Sequence, residues 1–384
     1  MNLLIHDLSE EDYKKITDRY EGWEVISDNG QIKPCIGCFG CWLKSPGECV
    51  IRDGYHRMGA LIHQADEVVI MSRYTYGGVS SFIKNVLDRS ISYVLPYFEI
   101  IDGEMHHKSR YPEEKTMTFI FRGSGLTEED KKKAEEYVTA VCRNLHGRIK
   151  ELIFEECEDQ KPEVIAEETP AAAERKALLL NCSLRGDNAN SKKFLDRLSG
   201  MLKVPAEQIN IGPFVSRPEE LKEKLNNAET LVLGMPLYVD GIPSAPLRLM
   251  EMMERYGRRG NKKVYVIANM GFYESVQIKN LLSMVRMWCE KCGYDYCGAL
   301  AIGAGEMIGM MMAGENIEKG PAANVGKGLK KLAGAIDSAS RTEDLYADPD
   351  KFPRAFYMFG GNLSWPRGAK ANGLKKKDLY RRVE

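Results

Sequence analysis

The 384-residue chain has almost no net charge: 54 lysines and arginines stand against 55 aspartates and glutamates, leaving −1. Nothing in that balance directs the protein to nucleic acid or to an anionic membrane surface. Long hydrophobic runs are missing too. None approaches the ~20 residues that a bilayer-spanning helix needs. The start, MNLLIHDLSEEDYKK, has too short an apolar stretch and too many acids for a signal or transit peptide, so a cytoplasmic protein is expected. In that compartment the ten cysteines are expected as thiols or metal ligands rather than disulfides. The G-x-G-x-x-G spacing of a dinucleotide-binding fold is also absent; GAGEMIG, residues 303–309, lacks it and would follow a late strand.

What is present is an ordinary globular composition, 43% hydrophobic and 28% charged, on a plan that occurs twice. The stretch EECEDQKPEVIAEETPAAAERK is acidic, contains alanine and proline, and has no hydrophobic periodicity, so residues 156–175 are expected to be a linker. On either side of it a buried apolar strand comes first, MNLLIH in one half and KALLLNC in the other. Residues 67–89 match 229–255, and 115–147 match 262–294. Each pair reads strand, polar or Tyr/Gly loop, then helix. That alternation implies βαβ units and an α/β fold of doubly wound parallel sheets, with ligands at the carboxyl ends of the strands. The expected domains are 1–155 and 176–338, with a C-terminal extension, 339–384, wrapping over the surface and ending in a solvated basic run, KKKDLYRR.

The two halves differ at the first loop. After KALLLNC comes SLRGDNANSKKFLDRL, where Ser183, Arg185, Asn188, Asn190 and Ser191 offer hydroxyl, guanidinium and amide donors, and Lys192 and Lys193 add positive charge. A helix N-terminus behind such a loop suits a phosphate. The bland alternative is a capped helix after a polar turn. At the matching place the first half has HDLSEEDYKKI, and Glu10, Glu11 and Asp12 in a first helical turn would repel a phosphate dianion. Phosphate is therefore expected in the second half only.

The order S-x-R-x-x-x-x-N-S, then PLYVDGIPS, then NMGFYES resembles the flavodoxin-like NADPH-dependent FMN reductase family. The resemblance implies phosphate contacts from the first loop and a second loop of Pro236, Leu237, Tyr238 and Gly241 beside the flavin ring. It implies a third loop of Asn269, Gly271, Phe272, Tyr273 and Glu274. It further implies two tandem flavodoxin-like domains forming a pseudo-dimer, with FMN in the second and a lid from the first. The lid candidates are Tyr74, Tyr76, Tyr93, Pro96, Phe98, His106, His107, Arg110 and Tyr111; taken singly, His106 and His107 read as surface loop residues.

Cys35, Cys38, Cys41 and Cys49 lie in PCIGCFGCWLKSPGEC, and their C-x2-C-x2-C-x7-C spacing resembles iron–sulfur flavoproteins. Three thiolates so close can cap one face of a [4Fe–4S] cubane, with Cys49 returning as the fourth ligand. Zinc more often uses two knuckles separated by a longer span. A redox-active thiol pair and a plain structural loop stay open beside the cluster. Cys289, Cys292 and Cys297 are expected to pack in the core.

The implied function is FMN-dependent oxidoreduction. NAD(P)H would be the reductant, and the acceptor a small molecule such as a quinone or flavin, or a redox protein. No catalytic acid or base is required, and a homo-oligomer is allowed. The rivals are an iron–sulfur flavoprotein electron carrier without NAD(P)H activity of its own, and a non-catalytic flavodoxin-like binding module.

Overall fold

The computed structural model describes residues 1–157, 176–256, 260, 262–314 and 317–383. The linker expected at 156–175 lies outside these residues from 158 onward. The chain divides into two compact units: Met1–Gln160 with Met358–Glu384, and Lys161–Tyr357.

The first unit runs β1 (Asn2–His6), α1 (Glu10–Lys14), β2 (Glu24–Ser27), α2 (Gly40–Leu43), α3 (Met58–Gln64), β3 (Glu67–Arg73) and α4 (Ser81–Arg89). It continues with β4 (Val94–Ile101), β5 (Glu104–Ser109), β6 (Lys115–Gly123), α5 (Glu128–Asn144) and β7 (Gly147–Glu156). Its main sheet has the order β2-β1-β3-β6-β7, all parallel. With the antiparallel β4–β5 pair set aside, this is the flavodoxin order 2-1-3-4-5. Leu3, Leu4 and Ile5 of β1 are completely buried. An apolar run without alternation is what a central strand covered on both faces requires. In register, Leu4 stands opposite Val25 on one side and Val69 on the other.

The second unit runs β8 (Ala177–Asn181), α6 (Asn190–Ser199), β9 (Ala206–Asn210), α7 (Lys222–Asn227), β10 (Thr230–Pro236) and α8 (Ser244–Tyr256). It continues with β11 (Lys263–Asn269), α9 (Lys279–Cys292), β12 (Asp295–Ile302), α10 (Gly305–Met311), α11 (Ala323–Ser338) and β13 (Leu345–Ala347). Its sheet, β13-β12-β11-β10-β8-β9, is parallel and repeats the same order with one further edge strand. Helix α6 turns Phe194, Leu195 and Leu198 inward, the i, i+1, i+4 spacing of one helical face. It lies so close to β10 that a Cβ on Gly234 would stand 2.6 Å from Leu195 Cδ1. Cys289, Cys292 and Cys297 are buried in the core.

The final segment divides between the units at the helix α12 (Arg354–Ala371). In the first unit its Ala369 and Leu379 are fully buried against Leu95 and Tyr97 of β4. The terminal basic run is therefore not a wholly solvated face, because Leu379 within it is a core residue. The same hairpin explains the lid candidates. His106 is buried and His107 half-buried, so neither is a surface loop residue, and Arg110 is buried as well, because β4–β5 closes a small core of its own. Within it the His107 ring lies against Trp42 and Phe98.

Candidate functional site

Strands β8, β10 and β11 lie side by side and end at Asn181, Pro236 and Asn269. The chain leaves β8 in one direction along the sheet and enters β10 in the other. This is the topological switch point, where open α/β sheets bind ligands.

The first loop, from Ser183 into α6, is built around that point. The helix starts at Ala189, which offers no side-chain cap, so the first-turn N–H groups are left for something else. Asn190 and Ser191 are nevertheless buried, at 7% and 1% exposure. Ser183 is buried, its N–H donating to Asn181 Oδ1 at 3.2 Å. Asn181 in turn donates to the Gly186 carbonyl and to Asn210 Oδ1. Asn188 is exposed at the loop tip. Arg185 reaches Glu306 at 2.8 Å, and Lys193 reaches Asn190 Oδ1 at 3.1 Å.

The equivalent place in the first unit is closed. Ser9 caps α1 by accepting from the Asp12 N–H at 3.1 Å, and Glu10, Glu11 and Asp12 fill the first turn. The carboxylates of Glu10 and Glu11 stand in solvent. A phosphate there would meet a satisfied cap and three negative charges.

The second loop is the same device in both units. Tyr238 and Gly241 exchange backbone hydrogen bonds around Val239 and Asp240, and Thr75 and Gly78 do so around Tyr76 and Gly77. All four central residues have positive φ: 36° and 58° in the second unit, 49° and 80° in the first. Two consecutive left-handed residues make a type I′ turn. Pro236, Leu237, Tyr238 and Val239 are half-buried along it.

In the third loop Gly271 is exposed, with open space where a Cβ would stand. Asn269 looks inward, donating to Ser191 Oγ at 2.8 Å and the Met235 carbonyl at 3.2 Å. That one amide ties all three loops together. The Tyr273 hydroxyl donates to the Phe352 carbonyl, and Glu274 pairs with Arg354. Phe272 is half-buried, its carbonyl taken by the Ala304 N–H.

One part of this neighbourhood was not legible in the sequence. The GAGEMIG run forms the loop after β12 and the start of α10. Gly309 lies so close to α6 that a Cβ on it would stand 2.3 Å from Asn190 Oδ1. A glycine-rich run after a late strand is the signal that could have placed it, since it too ends a strand on the binding edge.

The cysteine loop belongs to the first unit. Gly37, Phe39 and Gly47 all have positive φ and turn the chain tightly between the thiols. Cys41 and Cys49 are buried, Cys38 is exposed, and Cys35 lies between. Burial first, then Asp88, pushes the Cys35 thiol up to about 12. Burial, then the thiols of Cys35, Cys49 and Cys38, holds Cys41 well above its ordinary value. Cys35 and Cys41 thus each stand within electrostatic reach of Cys38 and Cys49 and of one another. Arg89 donates to Cys49 Sγ at 3.1 Å, and the Gly40 N–H lies 3.4 Å from Cys38 Sγ. Among the described residues no group of three or more His, Cys, Asp or Glu is arranged to hold a metal ion. A cubane is a larger body than a single ion, and its thiolates stand further apart. The donor set, four cysteines with N–H donors on two of the sulfurs, fits such a cluster in chemistry.

No family model matches the chain. It is 37% identical over 60 residues to an iron–sulfur flavoprotein of Methanocaldococcus jannaschii, covering 16% of this chain and 30% of that protein. It is 31% identical over 88 residues to an iron–sulfur flavoprotein of Archaeoglobus fulgidus, covering 23% and 41%. The chain spans from 30% to 41% of the length of the curated relatives it matches. Among solved structures it is similar to an FMN-dependent NADH-azoreductase from Bacillus anthracis in complex with FMN, at 16% identity and TM-score 0.32, covering 42% of this chain and 99% of that one. It is also similar to RosB with a bound formylated flavin phosphate, at 15% identity and TM-score 0.31, covering 52% and 88%.

Proposed function

We propose that the chain is an FMN-dependent oxidoreductase that takes electrons from NAD(P)H and passes them to a small acceptor such as a quinone or flavin. The observation that carries this reading is the start of α6: an uncapped helix N-terminus at the switch point of the second unit, opposed to the capped, acidic start of α1 in the first. Relatedness over short stretches to iron–sulfur flavoproteins supports it.

Ser183, Asn188, Asn190, Ser191 and the first-turn N–H groups of α6 would hold the phosphate. Arg185 would leave Glu306 to join them. That pair is 31% and 44% exposed, so it is worth at most about 1 kcal/mol, less than a charge-assisted bond to a dianion. Pro236, Leu237, Tyr238 and Gly241 would line one edge of the ring, and Gly271 with Phe272 another. Asn269 positions Ser191 from behind, while Tyr273 and Glu274 hold the third loop in place. Bound there, FMN supplies hydride and electron exchange; the loops orient it and keep water from one face. Among the described residues no helix is long and apolar enough to cross a membrane.

Cys35, Cys38, Cys41 and Cys49 would hold a [4Fe–4S] cluster, through which electrons could leave singly. This loop favours the second reading, an electron carrier reduced by another protein. Anaerobic stopped-flow mixing with NADPH separates the two: fast loss of the flavin band near ~450 nm belongs to the reductase, and its absence to the carrier. Colourless purified protein with no affinity for added FMN would leave only a binding module.

A further inference from the structure

Two buried arginines of the first unit, one ending α4 and one following β5, differ in how their charge is met. Arg89, which touches Cys49, is neutralised by Asp53, whose two carboxylate oxygens it holds at 2.8 and 2.9 Å. Arg110 is only 3% exposed and donates to four backbone carbonyls: Ser92 at 2.8 Å, Val94 at 3.2 Å, Leu379 at 2.8 Å and Arg381 at 2.7 Å. Carbonyl dipoles orient a cation but cancel none of its charge. Among the described residues no carboxylate pairs with it. The acidic groups that act on it are the Tyr111 hydroxyl and the Cys41 thiol. Burying an unpaired cation is strongly unfavourable unless an anion shares the site.

The surroundings connect this guanidinium to the cysteine loop through a shared acceptor. The Val94 carbonyl that accepts from Arg110 also accepts the indole N–H of Trp42, the residue after Cys41. The chain end that supplies two of the carbonyls closes over the loop: a Cβ on Gly47 would stand 2.7 Å from Val383. The Tyr111 hydroxyl meets the Val383 backbone at 3.5 Å.

We infer that Arg110 is the counter-charge for an anionic four-thiolate cluster, held beside Cys41 by the C-terminal tail. The inference rests on the cluster reading above. A [4Fe–4S] centre with four thiolates is net negative and gains one more negative charge with each electron it accepts. A fixed cation beside it favours the reduced state, and net charge is one of the protein's levers on the potential. A guanidinium stays charged at neutral pH even when buried.

The test compares full-length wild type, Arg110→Gln and Arg110→Lys after anaerobic reconstitution with iron and sulfide. Iron and labile sulfide are counted, and the cluster midpoint is followed by EPR during one-electron titration with dithionite. The expected result is a cluster in wild type and Arg110→Lys at similar potentials. Arg110→Gln should hold a cluster at a clearly more negative potential, or lose its iron. Arg110→Gln at the wild-type potential would overturn the charge assignment. So would loss of iron from both variants, which would show that the carbonyl fork alone matters. Wild type that takes up no iron would sink the cluster reading itself, a different result from either.

Discussion

Val239 holds φ at 36° at the tip of the second loop, a left-handed conformation that β-branched residues avoid. Strain of this kind gathers at functional sites, and the flanking Tyr238–Gly241 hydrogen bonds hold it here. Val239→Asn, a residue at ease in that region, should raise stability by roughly 1 kcal/mol. Thermal unfolding reads the change, and a lower midpoint would show that Val239 is not strained. Two histidines of the first unit have the opposite liability. Burial depresses His6 to about 4 and His107 to about 3. The unfolded chain takes up these protons near the ordinary 6.5, and the folded chain does not. Their contribution is full above about pH 6.5 and lost as pH falls toward those values, by at most about 1.4 kcal/mol per pH unit for each. His107→Gln should flatten the acid limb of an unfolding profile between pH 6.5 and 4; a limb as steep as wild type would exclude His107 as its source.

At the scale of elements, α1 and α6 begin the same βαβ unit and differ in what meets their first-turn N–H groups. Ser191→Asp would give α6 the acidic start that α1 has. It should weaken FMN binding by at least 100-fold while leaving far-ultraviolet circular dichroism unchanged, since an acid in the first turn suits the helix itself. Equilibrium dialysis against FMN decides it, and retained affinity would show that the phosphate sits elsewhere. Glu306→Gln tests the neighbouring helix. Releasing Arg185 from an exposed ion pair should tighten FMN about 2- to 5-fold, the worth of such a pair; weaker binding would mean that Glu306 positions Arg185 for the ligand.

At the scale of the whole molecule, the two units share one topology and the proposed phosphate site has its uncapped helix start in the second unit only, so FMN should saturate at one per chain. Two per chain, measured by released flavin against protein, would refute the asymmetry. The chain end is part of the first unit's core. Leu379 is completely buried, and Leu379→Ala should cost about 2–5 kcal/mol. Trp23, Trp42 and Trp365 report on that unit and Trp288 on the other, so a Trp288→Phe background isolates the relevant urea transition. No change there would mean that the tail is not docked in solution.

The amino-acid order alone determined the doubly wound class, the repeat, and the charge contrast between HDLSEED and SLRGDNANS. These are local patterns: buried runs without alternation for central strands, donors or acids in a first helical turn. The Asn269–Ser191 bond that ties three loops and the packing of Gly309 on Asn190 join elements tens of residues apart, and no local pattern encodes them. The same holds for Arg110. In sequence it is one more cation in HHKSRY; only the closing of the β4–β5 hairpin and the return of the chain end bury it, with no carboxylate partner among the described residues. Local propensity selects elements, but the free energy of a buried charge is set by what tertiary packing brings within a few ångströms of it.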